Sequence, residues 1–267
     1  MKDDGLDLDG LLAVAREAAA AGSAVVRRHL GAARDVREKA PGDWVSEADT
    51  ASEAAVREAL RRGAPEVAFF GEEGGGVRAE VGWFVDPLDG TTNFVHGFPV
   101  VGVSVALVVA DDPVVAVVEA PFLGDAYWAR RGSGAFCNGA PIRVSARAPE
   151  QSICATGFPF RAKEERLPTY LPVFERALRD FEDLRRAGAA SLDLAWTASG
   201  VFDGYFEQAL GTWDVAAGGL LVREAGGVVT DWAGDPRAWL ASGDIVVGPP
   251  AVHGRIMELI EATGSDR

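Results

Sequence analysis

Basic residues are scarce in this chain. Its 267 residues carry 26 Lys and Arg against 40 Asp and Glu, a formal net charge of −14. Polyanions are held by basic patches, so this balance argues against a nucleic-acid partner and against a membrane surface. Cysteine is scarcer still. Cys137 and Cys154 are the two present, too few for a disulfide framework and without metal-site spacing. The three histidines, His29, His96 and His253, have no His partner at helical ligand spacing, which argues against zinc. Long apolar runs are missing too. The longest, Val100 to Ala110, is too short for a bilayer and is broken by Gly102 and Ser104. The start, Met1-Lys2-Asp3-Asp4, is acidic and does not read as a signal peptide. No G-x-x-x-x-G-K-[ST] and no nucleophile elbow occur, which argues against a P-loop nucleotidase and a serine hydrolase. A soluble, cytoplasmic protein is the expectation.

What is present suits a sizeable core in one large or two closely joined domains. Apolar spacing predicts helices over Leu11 to Leu30, with Asp7 and Asp9 as caps, and over Ser46 to Arg62. Short strands are expected at Val67 to Phe70 and at Trp83 to Val85, the second stopped by Pro87. Val100 to Val109 and Val114 to Val118 read as a hairpin around Asp111-Asp112-Pro113, and Ala126 to Trp128 continues the sheet. Beyond about residue 146, helices (Leu167 to Phe181, Ser191 to Val201, Val215 to Glu224, Val252 to Ala262) alternate with strands (Ile153 to Thr156, Gly204 to Glu207, Val228 to Asp231, Ile245 to Val247). The expectation is an α+β half, 1–146, joined to an α/β half, 147–267, in layered helices and sheets.

Chemistry concentrates where an apolar strand ends in Asp86-Pro-Leu-Asp-Gly-Thr-Thr. Asp86, Asp89 and the Leu88 carbonyl fall around one point, and hard oxygen ligands suit Mg²⁺. The N–H groups of Gly90 and Thr91 can receive phosphate oxygens. Taken alone, the segment also reads as a surface turn whose carboxylates cap a helix. Two more acidic ends add weight. Glu72-Glu73 follows an apolar strand and precedes three glycines, and Asp214 opens an apolar helix. Each has its own plain reading, a solvated loop and a carboxylate that favours the helix dipole.

Together these segments resemble the inositol monophosphatase family of metal-dependent, typically lithium-sensitive phosphatases. The resemblance rests on Asp86-Pro-Leu-Asp-Gly-Thr-Thr-Asn-Phe-Val-His-Gly-Phe-Pro99, on Trp213-Asp-Val-Ala-Ala-Gly-Gly-Leu-Leu-Val-Arg-Glu-Ala-Gly-Gly227, and on Gly71-Glu72-Glu73 upstream. It implies alternating α-β-α-β-α layers and a homodimer. It implies two to three Mg²⁺ ions on Glu72, Asp86, the Leu88 carbonyl, Asp89 and Asp214. It makes Thr91 and Asp49 the pair that orients the attacking water, with Glu72 beside them as a catalytic group. It places substrate on Asp89, Gly90, Thr91, Gly188, Ala189, Ala190, Glu207 and Asp214, with Lys39 near the phosphate. Two departures stand out: Ala189 where relatives often carry a hydroxyl, and Ser46 in place of the commoner Thr.

The implied reaction is direct in-line attack of water on a small phosphate monoester, first of all inositol 1-phosphate. Related subfamilies act on fructose 1,6-bisphosphate, histidinol phosphate or 3′-phosphoadenosine 5′-phosphate. A third possibility is a regulatory protein that keeps the fold for a partner.

Overall fold

The computed structural model describes residues 5–29, 36–40 and 43–265. Met1 to Asp4, Leu30 and the Lys39 side chain, all read above, lie outside the described residues. The chain opens with helix α1 (Leu8–His29), strands β1 (Arg37–Ala40) and β2 (Asp43–Val45), and helix α2 (Glu47–Gly63). Strands β3 (Ala68–Gly71), β4 (Gly75–Gly76) and β5 (Val81–Asp89) lead to the short helix α3 (Thr91–Val95). Five strands follow: β6 (Gly102–Val109), β7 (Asp112–Ala120), β8 (Asp125–Arg130), β9 (Ala135–Cys137) and β10 (Ala140–Ile142). Then come β11 (Ile153–Thr156), α4 (Lys163–Asp180), β12 (Asp183–Arg185), α5 (Ala190–Ala198), β13 (Gly204–Glu207) and α6 (Thr212–Glu224). The chain finishes with β14 (Val228–Thr230), α7 (Trp239–Ser242), β15 (Ile245–Gly248) and α8 (Pro250–Ser265).

Among the described residues, β3 to β10 form an eight-stranded sheet in the order β10-β9-β8-β7-β6-β5-β3-β4. A five-stranded sheet runs β12-β11-β13-β15-β14. Strand side chains point alternately to the two faces of a sheet, so the odd and even residues of one strand enter different cores. Trp83, Val85, Val103, Val105, Leu107, Val115 and Val117 pack with Ala15, Ala19 and Val26 of α1 and Val56 and Leu60 of α2. Their neighbours Phe84, Ala106, Val108, Ala116 and Val118 face α5 and α6 through Leu192, Leu194, Leu220 and Leu221. That same cluster takes in Tyr205, Ile245 and Val247 of the second sheet. The other face of this sheet, with Cys154, Phe206 and Val246, is covered by α4 and α8 through Tyr170, Val173, Val252 and Ile256. Helix pair, sheet, helix pair, sheet, helix pair is the layering expected from the resemblance.

Local chemistry explains the starts of α1 and α2. Asp7 caps α1 by accepting the Gly10 N–H at 3.0 Å, whereas Asp9, also expected as a cap, sits in the first turn and pairs with Arg130 at 2.8 Å. Ser46 caps α2: its Oγ accepts the Ala48 N–H at 3.2 Å, and Asp49 accepts the Ser46 N–H at 2.8 Å. Several boundaries differ from expectation. β5 does not stop at Val85 but runs through Pro87 to Asp89. Asp86 pairs with Ser104 and Asp89 with Gly102, so three steps of β5 oppose two of β6. The extra residue is a bulge, which tolerates a proline that a regular ladder would reject. Helix α4 begins four residues before the expected Leu167 and contains Pro168 and Pro172. The hairpin turn lies at Ala110-Asp111, both at positive φ, so Asp112 and Pro113 belong to β7.

Candidate active site

Strand register brings the first two acidic groups together. β3 runs parallel to β5 with Gly71 opposite Val85, and the Glu72 N–H donates to the Val85 carbonyl at 3.1 Å. Glu72 therefore emerges beside Asp86. The third acid arrives from the far half of the sequence. The Ser104 hydroxyl, opposite Asp86 on β6, donates to the Trp213 carbonyl at 3.2 Å, and Phe70 packs against the Trp213 ring at 5.6 Å. These contacts seat the start of α6 over the β3–β5 edge. The oxygens of Glu72, Asp86 and Asp214 come within 4.8 Å of one another. Burial pushes the Asp86 carboxyl well above the usual carboxylate range, and the charges of Glu72, Asp89 and Asp214 push it further the same way. A cluster of this sign, buried and made of hard oxygens, fits a divalent cation: the ion would supply the missing positive charge.

The β5 bulge positions the remaining groups. The Leu88 N–H donates to Asp86 at 3.0 Å, and Ser52 of α2 ties the Pro87 carbonyl at 2.7 Å. Gly90 follows with φ +88°, a conformation costly for other residues. A Cβ there would lie 3.0 Å from the Val100 carbonyl oxygen and 3.2 Å from that of Gly188. The Thr91 hydroxyl donates to Asp49 at 2.7 Å and lies 3.1 Å from the Leu88 carbonyl. Asp49 is buried, and burial raises its carboxyl while hydrogen bonds from Ser46 and Thr91 pull it down. Asp89 is buried as well; burial and then the Asp214 charge raise it, opposed by the N–H and hydroxyl of Ser191, which both donate to its Oδ2.

Several of these groups line one cavity of about 350 Å³, with Asp49 and Ser191 packed behind its wall. Its walls include Glu72, Asp86, Leu88, Asp89, Gly90 and Thr91 from the first sheet, and Gly188, Ala190, Glu207 and Asp214 from the second half. Glu207 ends β13 across from Gly157, so close that a Cβ on Gly157 would meet its carboxylate at about 2 Å. Burial raises the Glu207 carboxyl to about 8, against the pull of the Tyr205 hydroxyl and the Arg186 charge. Ala189 is placed otherwise. Its side chain joins the core beneath α5 and is 1% exposed, so Gly188 and Ala190 make the wall while Ala189 packs behind them.

Three residues here carry no signal in the linear motifs, and a fourth, Asn93, lies inside the Asp86 to Pro99 motif without a role of its own there. Glu53 of α2, 5% exposed, accepts the N–H groups of Glu73 and Gly74 at 2.9 Å and pins the turn that presents Glu72. Ser191 holds Asp89. Asn93 donates to the Val100 and Ala187 carbonyls at 2.7 and 2.9 Å, fastening the Gly188 segment against α3. Arg161 reaches into the acidic cluster, its Nη1 2.7 Å from Asp214 and its Nη2 3.5 Å from Glu72. Each lies on a different element from the group it holds, so sequence spacing could not have disclosed it.

A carboxylate triad, two of its members buried and one partly so, at the rim of a cavity between two sheets suits metal-dependent phosphate chemistry. The chain belongs to the inositol monophosphatase family, a family of phosphatases, whose profile matches residues 7–265. It is 45% identical over 220 residues to the Nus factor SuhB of Pseudomonas aeruginosa, covering 80% of this chain and 81% of that one. It is 36% identical over 258 residues to a fructose-1,6-bisphosphatase/inositol-1-monophosphatase of Aquifex aeolicus, covering 95% and 96%. The inositol monophosphatase structure from Anabaena superposes with a TM-score of 0.85 at 35% identity, over 96% of this chain and 97% of that one.

Proposed function

We propose that the chain is a magnesium-dependent phosphatase that hydrolyses a small phosphate monoester to its alcohol and inorganic phosphate, with inositol 1-phosphate the first candidate. The observation that carries this reading is that Thr91, whose hydroxyl donates to the buried Asp49 at 2.7 Å, lines the same cavity as the Glu72, Asp86 and Asp214 cluster. Glu72, Asp86, the Leu88 carbonyl, Asp89 and Asp214 would hold two to three Mg²⁺ ions. Bound there, the metal supplies neutralisation of the phosphate dianion and polarisation of its oxygens. The chain's own groups do the rest. Asp49 keeps Thr91 Oγ1 aimed into the cavity, where that oxygen can accept a proton from water while its own proton goes to the carboxylate. Gly90 and Thr91 offer backbone N–H groups to the phosphate. Glu207, facing the cavity opposite the β5 bulge, would take substrate hydroxyls, with Gly188 and Ala190 shaping the wall.

A second reading, a bisphosphate such as fructose 1,6-bisphosphate, is favoured by Arg161, Lys163 and Arg186 on the same rim. A distal phosphate would find its cations there. One panel separates the two: kcat/KM for inositol 1-phosphate, fructose 1,6-bisphosphate, histidinol phosphate and 3′-phosphoadenosine 5′-phosphate, each with and without Mg²⁺. No turnover of any ester with Mg²⁺ would leave the regulatory reading. The reading also takes the protein as a cytoplasmic homodimer, which light scattering on the eluted peak checks for mass. No helix among the described residues is long and apolar enough to cross a membrane. Asp214→Asn should abolish Mg²⁺-dependent phosphate release while the circular dichroism spectrum stays that of the parent. Full activity in that variant would remove Asp214 from the ligand set.

A further inference from the structure

The acidic cluster is already engaged by a cation that belongs to the chain. Arg161 sits in the short turn Phe160–Ala162 that leads into α4. Its guanidinium straddles two of the three carboxylates, with Nη1 on Asp214 Oδ2 and Nη2 towards Glu72 Oε1. The same Asp214 Oδ2 accepts the Gly211 N–H at 2.6 Å. The side chains of Asp214 and Glu72 are 5% and 11% exposed, whereas that of Arg161 is 39% exposed. The guanidinium therefore reaches down from the cavity mouth onto the buried Asp214 and the partly buried Glu72.

A divalent cation would draw on the same carboxylates, with oxygens at about 2.0–2.1 Å for Mg²⁺. A guanidinium nitrogen within hydrogen-bond reach of Asp214 and near Glu72 would then lie a few ångströms from a double positive charge. Like charges at that range repel strongly, and more so where burial lowers the local dielectric. The two cations compete for one place.

We infer that Arg161 is a tethered counter-cation that exchanges with the metal: it neutralises Asp214 and Glu72 in the metal-free protein, leaves them as the metal enters, and so sets the metal affinity. The inference rests on the metal reading of the site. It gives the chain a way to keep a buried acidic cluster folded before metal arrives, since unpaired buried charge is strongly disfavoured. The guanidinium that is released stays over the same cavity. Phe160, next to Arg161 in the chain, carries Lys163 at 4.9 Å and Arg186 at 5.1 Å over its ring. Arg161, Lys163 and Arg186 all line this cavity, so the released guanidinium remains within reach of an anionic substrate.

The test is Mg²⁺ binding by calorimetry, without substrate, on EDTA-stripped wild type, Arg161→Gln and Arg161→Lys, alongside thermal melts with and without Mg²⁺. Arg161→Gln should bind Mg²⁺ at least five-fold more tightly than wild type. Its metal-free protein should melt lower, and Mg²⁺ should raise its Tm by more, as linkage requires of a tighter ligand. Arg161→Lys should fall between, because a lysine keeps the positive charge but must meet both carboxylates from one nitrogen, without the two spaced nitrogens of the planar fork. It also keeps the test alive if the glutamine variant does not fold. An unchanged or weaker Mg²⁺ affinity in both variants overturns the exchange. Wild type that binds no Mg²⁺ at millimolar concentration overturns the metal reading itself, which is a distinguishable failure.

Discussion

Replacing Asp49 by Asn separates proton transfer from folding. Asp49 accepts three hydrogen bonds: Oδ2 from the Ser46 N–H at 2.8 Å and from the Ser46 hydroxyl at 2.6 Å, and Oδ1 from Thr91 at 2.7 Å. An asparagine has one oxygen and one NH₂. Turned with its oxygen to Ser46 it keeps two of the three bonds and the cap of α2. Turned the other way it keeps one and points an amide donor at the Ser46 N–H. The first orientation wins by roughly the worth of a hydrogen bond, about 1 kcal/mol. The NH₂ then faces Thr91, whose hydroxyl must turn its proton to the Leu88 carbonyl, 3.1 Å away. The hydroxyl is still present, but it has lost the carboxylate that accepts its proton. The expected result is a kcat lower by roughly 10²- to 10⁴-fold, the range for removing a general base. KM and Mg²⁺ affinity should change little. The cost to stability should be about 1–2 kcal/mol for the weakened cap network, or roughly 2–4 °C in Tm for a chain of this size. Steady-state kinetics and a melting curve in the same buffer provide both numbers. A variant that keeps a tenth or more of kcat, or that loses it only through unfolding, refutes the assignment of Asp49 to proton transfer.

Gly157→Ala drives a methyl group into the space of the Glu207 carboxylate, about 2 Å away. If Glu207 binds substrate hydroxyls, KM near neutral pH should rise roughly two- to ten-fold, the worth of a hydrogen bond to a neutral carboxyl, with kcat nearly unchanged. An unchanged KM would take Glu207 out of the substrate site. Glu207 also predicts a pH dependence of stability. Burial raises it from 4.5 to about 8 in the folded protein, so between those values the folded state binds a proton that the unfolded chain releases. Its contribution is therefore present below pH 4.5 and is lost as pH climbs towards 8, with a ceiling of roughly 5 kcal/mol at 1.36 kcal/mol per pH unit. In EDTA, Glu207→Gln should flatten the fall of Tm between pH 5.5 and 8. An unaltered slope would mean that Glu207 is ionised throughout that range.

Much of this protein is written locally. The apolar periods of α1 and α2, the Ser46 cap, the strands β11 and β13, and the acidic strand ends Glu72 and Asp86 follow from residue type and spacing over a few positions. Backbone propensity and hydrophobic alternation act at that range, so they are legible in one dimension. The motif around Asp86 also presents its oxygens by local geometry, since Gly90 and the Leu88 carbonyl lie within four residues of it. What the tertiary structure decided is the company those oxygens keep. Pro87 reads as a strand breaker, yet the pairing of β5 with β6 accepts it as a bulge. Ala189 reads as a wall residue, yet the packing of α5 turns its methyl into the core. Ser191 reaches Asp89 across 102 positions, Arg161 reaches Asp214 across 53, and Glu53 holds the Glu73 N–H across 20. Those contacts depend on sheet register and helix seating, which the whole core fixes at once. The sequence by itself determined which carboxylates are present and in which turns. Only the folded layers decided that three of them share one point, and that an arginine is seated among them.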